Sequence, residues 1–251
     1  MHPTTQQAEK TREKILAAAK REFARKGYEG ARTGSIAKEA GVNSALIHYY
    51  FKSKEGLYLE LLRRLLGVDQ APIIYDFITN LESDLDPPTT LYLVIYMLIL
   101  LHHLTTDSEV NRIIAREMAD ERERIQKIMR DYFIPRLGML EELVRSGVEQ
   151  GYFETSSPLL VVLSITSLIV TYSSNRDIFR GTEMYDSLYS EMGHEEFSNF
   201  CIEYTFKALT PVGKKVRIPQ IDTGILQEAT DLINEWKNSF ILILQEEGEQ
   251  T

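Results

Sequence analysis

The stretch Thr33-Gly34-Ser35-Ile36-Ala37-Lys38-Glu39-Ala40-Gly41-Val42-Asn43-Ser44-Ala45-Leu46-Ile47-His48-Tyr49-Tyr50-Phe51 decides how the chain is read. Ile36, Ala40 and Ile47 are apolar plugs at helical spacing, and Gly41 interrupts them where a tight turn needs a positive-φ residue. Thr33 is placed to cap a short first helix that stops at Gly41. A second helix starts near Ser44 and runs to Phe51. Two helices joined so closely must cross steeply, which requires a small residue at the crossing, and Ala37 supplies it. Ala37 to Gly41 is four residues and Gly41 to Ile47 is six. That is the spacing of a helix-turn-helix, whose second helix enters the major groove of duplex DNA.

The second helix opens with short or polar side chains, Asn43, Ser44 and Ala45, so its end can approach base edges. Its N-terminus also favours a phosphate. His48 and Tyr49 lie further along, within reach of bases or backbone. Tyr50, Lys52 and Lys54 are placed for phosphate oxygens. Because Tyr49 and Tyr50 share a short helix with Ile47 and Phe51, one of the two is expected to be partly buried.

Working outward, Ile15, Leu16, Ala19 and Phe23 form an i, i+4 stripe on a preceding helix that Gly27 stops. A fourth helix opens at Ser53 and carries Leu57, Leu61, Leu62 and Leu65. Further helices are expected over about 71–83, 89–106, 108–131, 135–150, 158–176 and 194–209, with Pro87-Pro88, Pro135, Pro158 and Pro211 at their boundaries. Residues 210–223 look like a linker, and a last amphipathic helix is expected over about 225–245. No stretch alternates with period two, so the fold class is all-α.

Charge is unevenly shared. The chain has 28 Lys and Arg against 37 Asp and Glu, a net −9. Residues 1–66 hold 13 basic and 7 acidic side chains, a net +6, which leaves −15 for the remainder. A basic head on an acidic body suits a polyanion at one end only.

Several classes are excluded. The single cysteine, Cys201, rules out an intramolecular disulfide and a multi-cysteine zinc site. His102 and His103 are helix neighbours about 100° apart and cannot easily share an ion; no metal and no cofactor are expected. The longest apolar run, Leu91–Leu101, is eleven residues, short of the roughly 20 that span a bilayer. The first fourteen residues are polar and hold no secretory signal. A soluble cytoplasmic protein without a membrane partner is expected. No nucleophile elbow, P-loop, dinucleotide fingerprint or HExxH motif stands in the chain, so an enzyme is not expected.

Residues 12–66 resemble the DNA-binding domain of the TetR (tetracycline-repressor) family of transcriptional regulators. The resemblance rests on Ile15-Leu16-Ala17-Ala18-Ala19, Phe23, Gly27-Tyr28, Ile36-Ala37-Lys38-Glu39-Ala40-Gly41-Val42 and Ile47-His48-Tyr49-Tyr50-Phe51-Lys52-Ser53-Lys54-Glu55-Gly56-Leu57. His48 stands where the family most often has tyrosine, and Arg32-Thr33-Gly34-Ser35 replaces a Thr-rich approach to the second helix. The resemblance implies DNA contacts from Arg32, Thr33 and Ser35 as well, a homodimer, a two-fold symmetric double-stranded operator, and a helical C-terminal domain that dimerises and binds a small-molecule inducer. The expected layout is a three-helix DNA-binding domain over residues 1–53, a ligand-binding and dimerisation domain over 54–210, and a linker with an extra helix over 211–251.

In the body, the helix over 89–106 is apolar nearly all round and so central. An inducer cavity is expected where Tyr92, Tyr96 and His103 of that helix meet Met118 and Tyr172, with Arg116 or Arg122 turning inward to a ligand carboxylate. Arg116/Asp120, Asp120/Arg124 and Glu123/Lys127 read as i, i+4 pairs on a solvated face. The helices over 158–176 and 194–209 are the expected dimer interface. The function expected is a repressor released from a palindromic operator by an apolar or amphipathic inducer. The alternative is a DNA-binding protein of the same fold controlled by a protein partner.

Overall fold

The computed structural model describes residues 5–68, 71–81, 85–104, 108–119 and 123–245. Among these there is no strand; the fold is all-α. In chain order the helices are α1 (Thr5–Gly30), α2 (Thr33–Glu39), α3 (Ser44–Phe51), α4 (Lys54–Leu65), α5 (Ala71–Asn80), α6 (Pro87–Leu104), α7 (Ser108–Ala119) and α8 (Glu123–Ile128), then α9 (Ile134–Glu149), α10 (Pro158–Ser174), α11 (Arg176–Phe179), α12 (Glu183–Tyr189), α13 (Glu191–Leu209) and α14 (Thr223–Gln245). The chain divides into two compact units. One comprises residues 1–70, 107–128 and 235–251, the other residues 71–106 and 129–234.

In the first unit, Ile15, Leu16, Ala19 and Phe23 of α1 are buried against Ile36 of α2, Ile47 of α3 and Leu57, Leu61 and Leu62 of α4. Phe23 and Tyr58 meet with ring centroids 4.5 Å apart, and Tyr28 lies 5.0 Å from Tyr58. Partly buried ion pairs tie the helices together: Arg64 to Glu13 at 2.6 Å, Arg21 to Glu39, and Lys20 to Glu109 at 3.2 Å. Gly27 breaks α1 with φ 68° and ψ 177°.

That break explains a departure from the expected solvated face over 116–127. Where a helix ends, its last carbonyls lose their intrahelical donors. Arg116 of α7 donates to the carbonyls of Phe23 at 3.4 Å and Arg25 at 3.5 Å. Arg124 of α8 lies 3.8 Å from the Tyr28 ring centroid and pairs with Glu117 at 3.3 Å. Both arginines therefore brace the end of α1. Residues 120–122 lie outside the described residues, and with them the two expected pairs through Asp120.

In the second unit, Leu91, Ile95 and Ile99 of α6 pack with Val144 of α9, Val162, Ile165 and Ile169 of α10, and Cys201, Ile202 and Phe206 of α13. Ala229 and Ile233 of α14 bury against Met97 of α6, so the extra C-terminal helix covers the side of α6 that carries Met97 and Tyr96. A π turn, Met129–Phe133, runs directly into α9. Pro135 has no N–H to give the preceding turn, and the chain widens there instead of breaking.

Candidate nucleic-acid interface and ligand cavity

The turn between α2 and α3 is built as its residue types require. Gly41 has φ 66°. Ile36, Ala37, Ile47 and Phe51 are buried and pin the two helices to α1 and α4. Asn43 caps α3, its side chain accepting from the Ala45 N–H at 2.9 Å. Thr33 does not cap α2: it is the first helical residue, and Arg32 holds the cap position in an extended conformation without a side-chain bond.

Anchored on one side, α3 leaves the other to solvent. Arg32, Asn43, Ser44, Ala45, His48, Tyr49 and Lys52 are exposed, and Thr33, Ser35 and Tyr50 are half-buried. Tyr49 is 68% exposed, with Tyr50 edge-on against it at 5.0 Å. Tyr50 is thus the partly buried member of the pair. The Lys52 ammonium donates to the Tyr49 carbonyl at 3.2 Å and lies 6.0 Å from the Tyr49 ring.

Lys54 has a structural duty that its sequence context did not reveal. Its ammonium donates to the carbonyls of Tyr28 at 2.9 Å, Ala31 at 3.4 Å and Glu29 at 3.5 Å, and sits 4.4 Å from the Tyr28 ring centroid. It ties the start of α4 to the end of α1. Next to it, Ser53 caps α4 by accepting from the Gly56 N–H at 2.9 Å. A Cβ at Gly56 would stand 2.1 Å from the Phe51 carbonyl oxygen, so no other residue fits there unless the turn moves.

The second unit holds a cavity of about 270 Å³ between α6, α10 and α13. Tyr92, Tyr96 and Tyr172 line it together, and α13 adds His194, Phe197 and Asn199, to which the sequence pattern did not point. Their spacing at i, i+3 and i+5 mixes polar and apolar types, and the large apolar residues of that helix point to a dimer contact instead. The Tyr172 ring stacks on Phe197 at 3.7 Å and 5°. Its hydroxyl donates to the Leu188 carbonyl and meets His194 Nδ1 at 2.9 Å, and Tyr189 donates to the Tyr172 carbonyl at 2.8 Å. Burial raises the pKa of Tyr172, and of Tyr92 and Tyr189 as well, so these phenols stay neutral. Burial also pushes the Cys201 thiol up to about 11, as suits a packing residue.

Met118 does not belong to this wall. The stripe of α7 that turns inward carries Val110, Ile113 and Glu117, and Met118 falls beside it, 45% exposed, in the first unit. Arg122 and the His103 side chain lie outside the described residues. A larger hollow of about 380 Å³ in the first unit is lined by Arg21, Arg25, Arg112 and Arg116 with Glu39 and Glu109, and has no aromatic wall. Among the described residues no cluster of three His, Cys, Asp or Glu side chains could hold a metal ion, and no helix is long and apolar enough to cross a membrane.

A capped α3 presented by a three-helix core, in a chain with a separate helical unit, defines a helix-turn-helix DNA-binding protein. Residues 15–61 match the family described as bacterial regulatory proteins of the tetR family, and residues 94–203 match the tetracyclin repressor-like C-terminal domain. The chain is 30% identical over 176 residues to the HTH-type transcriptional repressor NicS of Pseudomonas putida, covering 68% of this chain and 79% of the relative. It is 25% identical over 168 residues to the fatty acid metabolism regulator protein of Bacillus subtilis, covering 64% and 82%. The crystal structure of HlyIIR, a hemolysin II transcriptional regulator, aligns with a TM-score of 0.53 at 29% identity over 81% of this chain and 99% of that one. A TetR transcription regulator from Haloarcula marismortui shares the fold, with a TM-score of 0.57 at 22% identity over 80% and 100%. The chain belongs to the TetR family of transcriptional regulators.

Proposed function

We propose that this regulator represses transcription by binding a two-fold symmetric operator as a homodimer, and that a small molecule in the α6–α10–α13 cavity releases it. The observation that carries the DNA half is the solvent face of α3, where Asn43, Ser44, Ala45, His48 and Tyr49 are all exposed on a helix locked by its buried side. Arg32, Thr33, Ser35, Tyr50 and Lys52 flank that face and are placed for phosphates, which fix register, while the α3 residues read bases. NicS, named a repressor, supports the direction of control.

The homodimer follows from apolar side chains left uncovered on α10 and α13. Leu160 is 62% exposed, Phe200 53% and Tyr204 51%. A second copy of the chain would cover them in a four-helix contact. The cavity, about 270 Å³ against the usual 300–1,000 Å³ of ligand pockets, supports control by a compact small molecule, and control by a protein partner is the second reading. The ligand has only to favour a dimer state whose two reading helices are not one DNA turn, about 34–36 Å, apart. A preference of about 1–3 kcal/mol weakens operator binding roughly 5–150-fold.

The test is operator retention. Purified protein should shift a palindrome from its own promoter region at nanomolar concentration, and Tyr49→Ala with Ser44→Leu should lose that binding while melting like the wild type. A protein that binds every duplex equally would remove the operator reading.

A further inference from the structure

Taking the α6–α10–α13 cavity as the effector site, we infer that its ligand is a compact organic cation, a protonated amine carried on an aromatic or apolar body. The inference comes from following each hydroxyl proton around the wall. Ser173 donates to the Ile169 carbonyl at 3.0 Å and Ser198 to the His194 carbonyl at 2.8 Å. Thr230 donates to the Leu226 carbonyl at 2.7 Å, so in its 2.9 Å bond with Tyr96 it must accept, and the Tyr96 proton is committed to it. The Tyr172 proton goes to the Leu188 carbonyl, so Tyr172 accepts from His194 Nδ1. Four hydroxyls of the wall have thus committed their protons elsewhere and keep only lone pairs to offer a ligand. The described bonds leave the Tyr92 hydroxyl and the Asn199 amide as donors.

Charge points the same way. Among the described lining residues Glu195, at the exposed rim, carries the one formal charge, and there is no Lys or Arg. Arg176, the nearest arginine in sequence to Tyr172, is turned instead to Tyr185, whose hydroxyl accepts from its Nε at 3.2 Å. A carboxylate entering this cavity would meet the like charge of Glu195 and mainly acceptors, with the Tyr92 hydroxyl and the Asn199 amide as the donors left by the described bonds. An ammonium would meet lone pairs, one carboxylate and the aromatic rings of Tyr92 and Tyr96, whose faces attract cations. A cavity of about 270 Å³ limits the body to roughly one ring with a short arm, below the usual 300–1,000 Å³ of ligand pockets.

The test is calorimetry on the full chain with three shape-matched probes: 2-phenylethylammonium, 2-phenylethanol and phenylacetate. The ammonium is expected to bind about tenfold more tightly than the alcohol, and phenylacetate not measurably. Glu195→Gln should weaken the ammonium about fivefold without changing the melting temperature. Ser173→Leu, which occludes the wall from a half-exposed position, should abolish binding. Equal binding of the alcohol, tighter binding of phenylacetate, or no binding of any probe would each overturn the inference. Undiminished ammonium binding to Ser173→Leu would overturn it as well, since the site would lie elsewhere. Phenylacetate binding that Ser173→Leu abolishes would leave the cavity as a site and refute only its charge preference. Ammonium bound in the cavity without any change in operator retention would uphold the ligand class and remove the effector role.

Discussion

Lys54 holds Tyr28 twice, donating to its carbonyl at 2.9 Å and lying 4.4 Å from its ring centroid, and so fastens the first turn of α4 to the end of α1. Lys54→Met should therefore lower stability by about 1.5–3 kcal/mol, the range for charge-assisted bonds. It should also weaken all DNA sequences alike. Lys52→Ala, at an exposed position two residues earlier, should leave the denaturant midpoint unchanged and flatten the salt dependence of binding by about one phosphate contact. Equal stability of both variants would deny Lys54 its bracing role.

Ser44 and His48 are exposed on the face of α3 that sequence spacing assigns to base reading. Replacing either with Ala should change which base pair is preferred at one position of each half-site, by about 1–3 kcal/mol, and leave non-specific affinity intact. A selection that returned the wild-type site unchanged for both variants would move base reading to other residues.

Gly147 and Phe153 form a socket and plug at the end of α9: a Cβ on Gly147 would stand 2.2 Å from Phe153 Cδ2. Gly→Ala inside a helix is ordinarily worth about 1 kcal/mol of added stability. Here Gly147→Ala should cost about 1–3 kcal/mol through overpacking, and the pair Gly147→Ala with Phe153→Leu should recover part of it. Urea unfolding measures both, and a stabilised single variant would contradict the contact.

Burial lowers the pKa of His102 from its ordinary 6.5 to about 4. In the folded chain the imidazole stays neutral down to that pH, whereas in the unfolded chain it takes a proton near 6.5. Stability should fall as pH drops from 6.5 towards 4, at up to about 1.4 kcal/mol per pH unit, and show no such slope above 6.5. Removing the imidazole with His102→Leu should reduce the slope by that contribution, and an identical pH profile would place His102 in water.

Leu160→Glu and Phe200→Glu put a charge on side chains that are already exposed in the single chain, so neither should disturb the fold of one copy. Both should give monomers by light scattering and reduce operator binding. A normal dimer from both would move the contact away from α10 and α13.

The first four helices were legible because the apolar periodicity of Ile15 to Phe23, Ile36 to Val42 and Ile47 to Phe51 is interrupted by stops at Gly27 and Gly41, whereas the cap expected at Thr33 falls to Arg32. The body was less legible where tertiary contacts decide. The helices Arg176–Phe179 and Glu183–Tyr189 are too short for a helical period to show, and the phenols that hold them, Tyr172 and Tyr189, announce nothing locally. The helix expected over about 108–131 is described on either side of residues 120–122, as α7 up to Ala119 and α8 from Glu123, and its expected last turn is the π turn that Pro135 follows. Half of the cavity wall was found through the aromatic content of α6 and α10. The other half, on α13, was hidden because Glu195 and Asn199 look like an ordinary solvated face until His194 and Phe197 are seen against Tyr172.

The central claim is that the exposed face of α3 reads a symmetric operator, and the most direct measurement is selection of genomic fragments by the full-length protein, wild type beside His48→Ala. The wild type should enrich one two-fold symmetric sequence near the gene itself, with half-site centres one helical turn apart, about 34–36 Å. His48→Ala should enrich a sequence of the same spacing altered at one symmetric pair of positions. Enrichment of no common sequence by the wild type, or the same unaltered sequence from both proteins, would contradict the account.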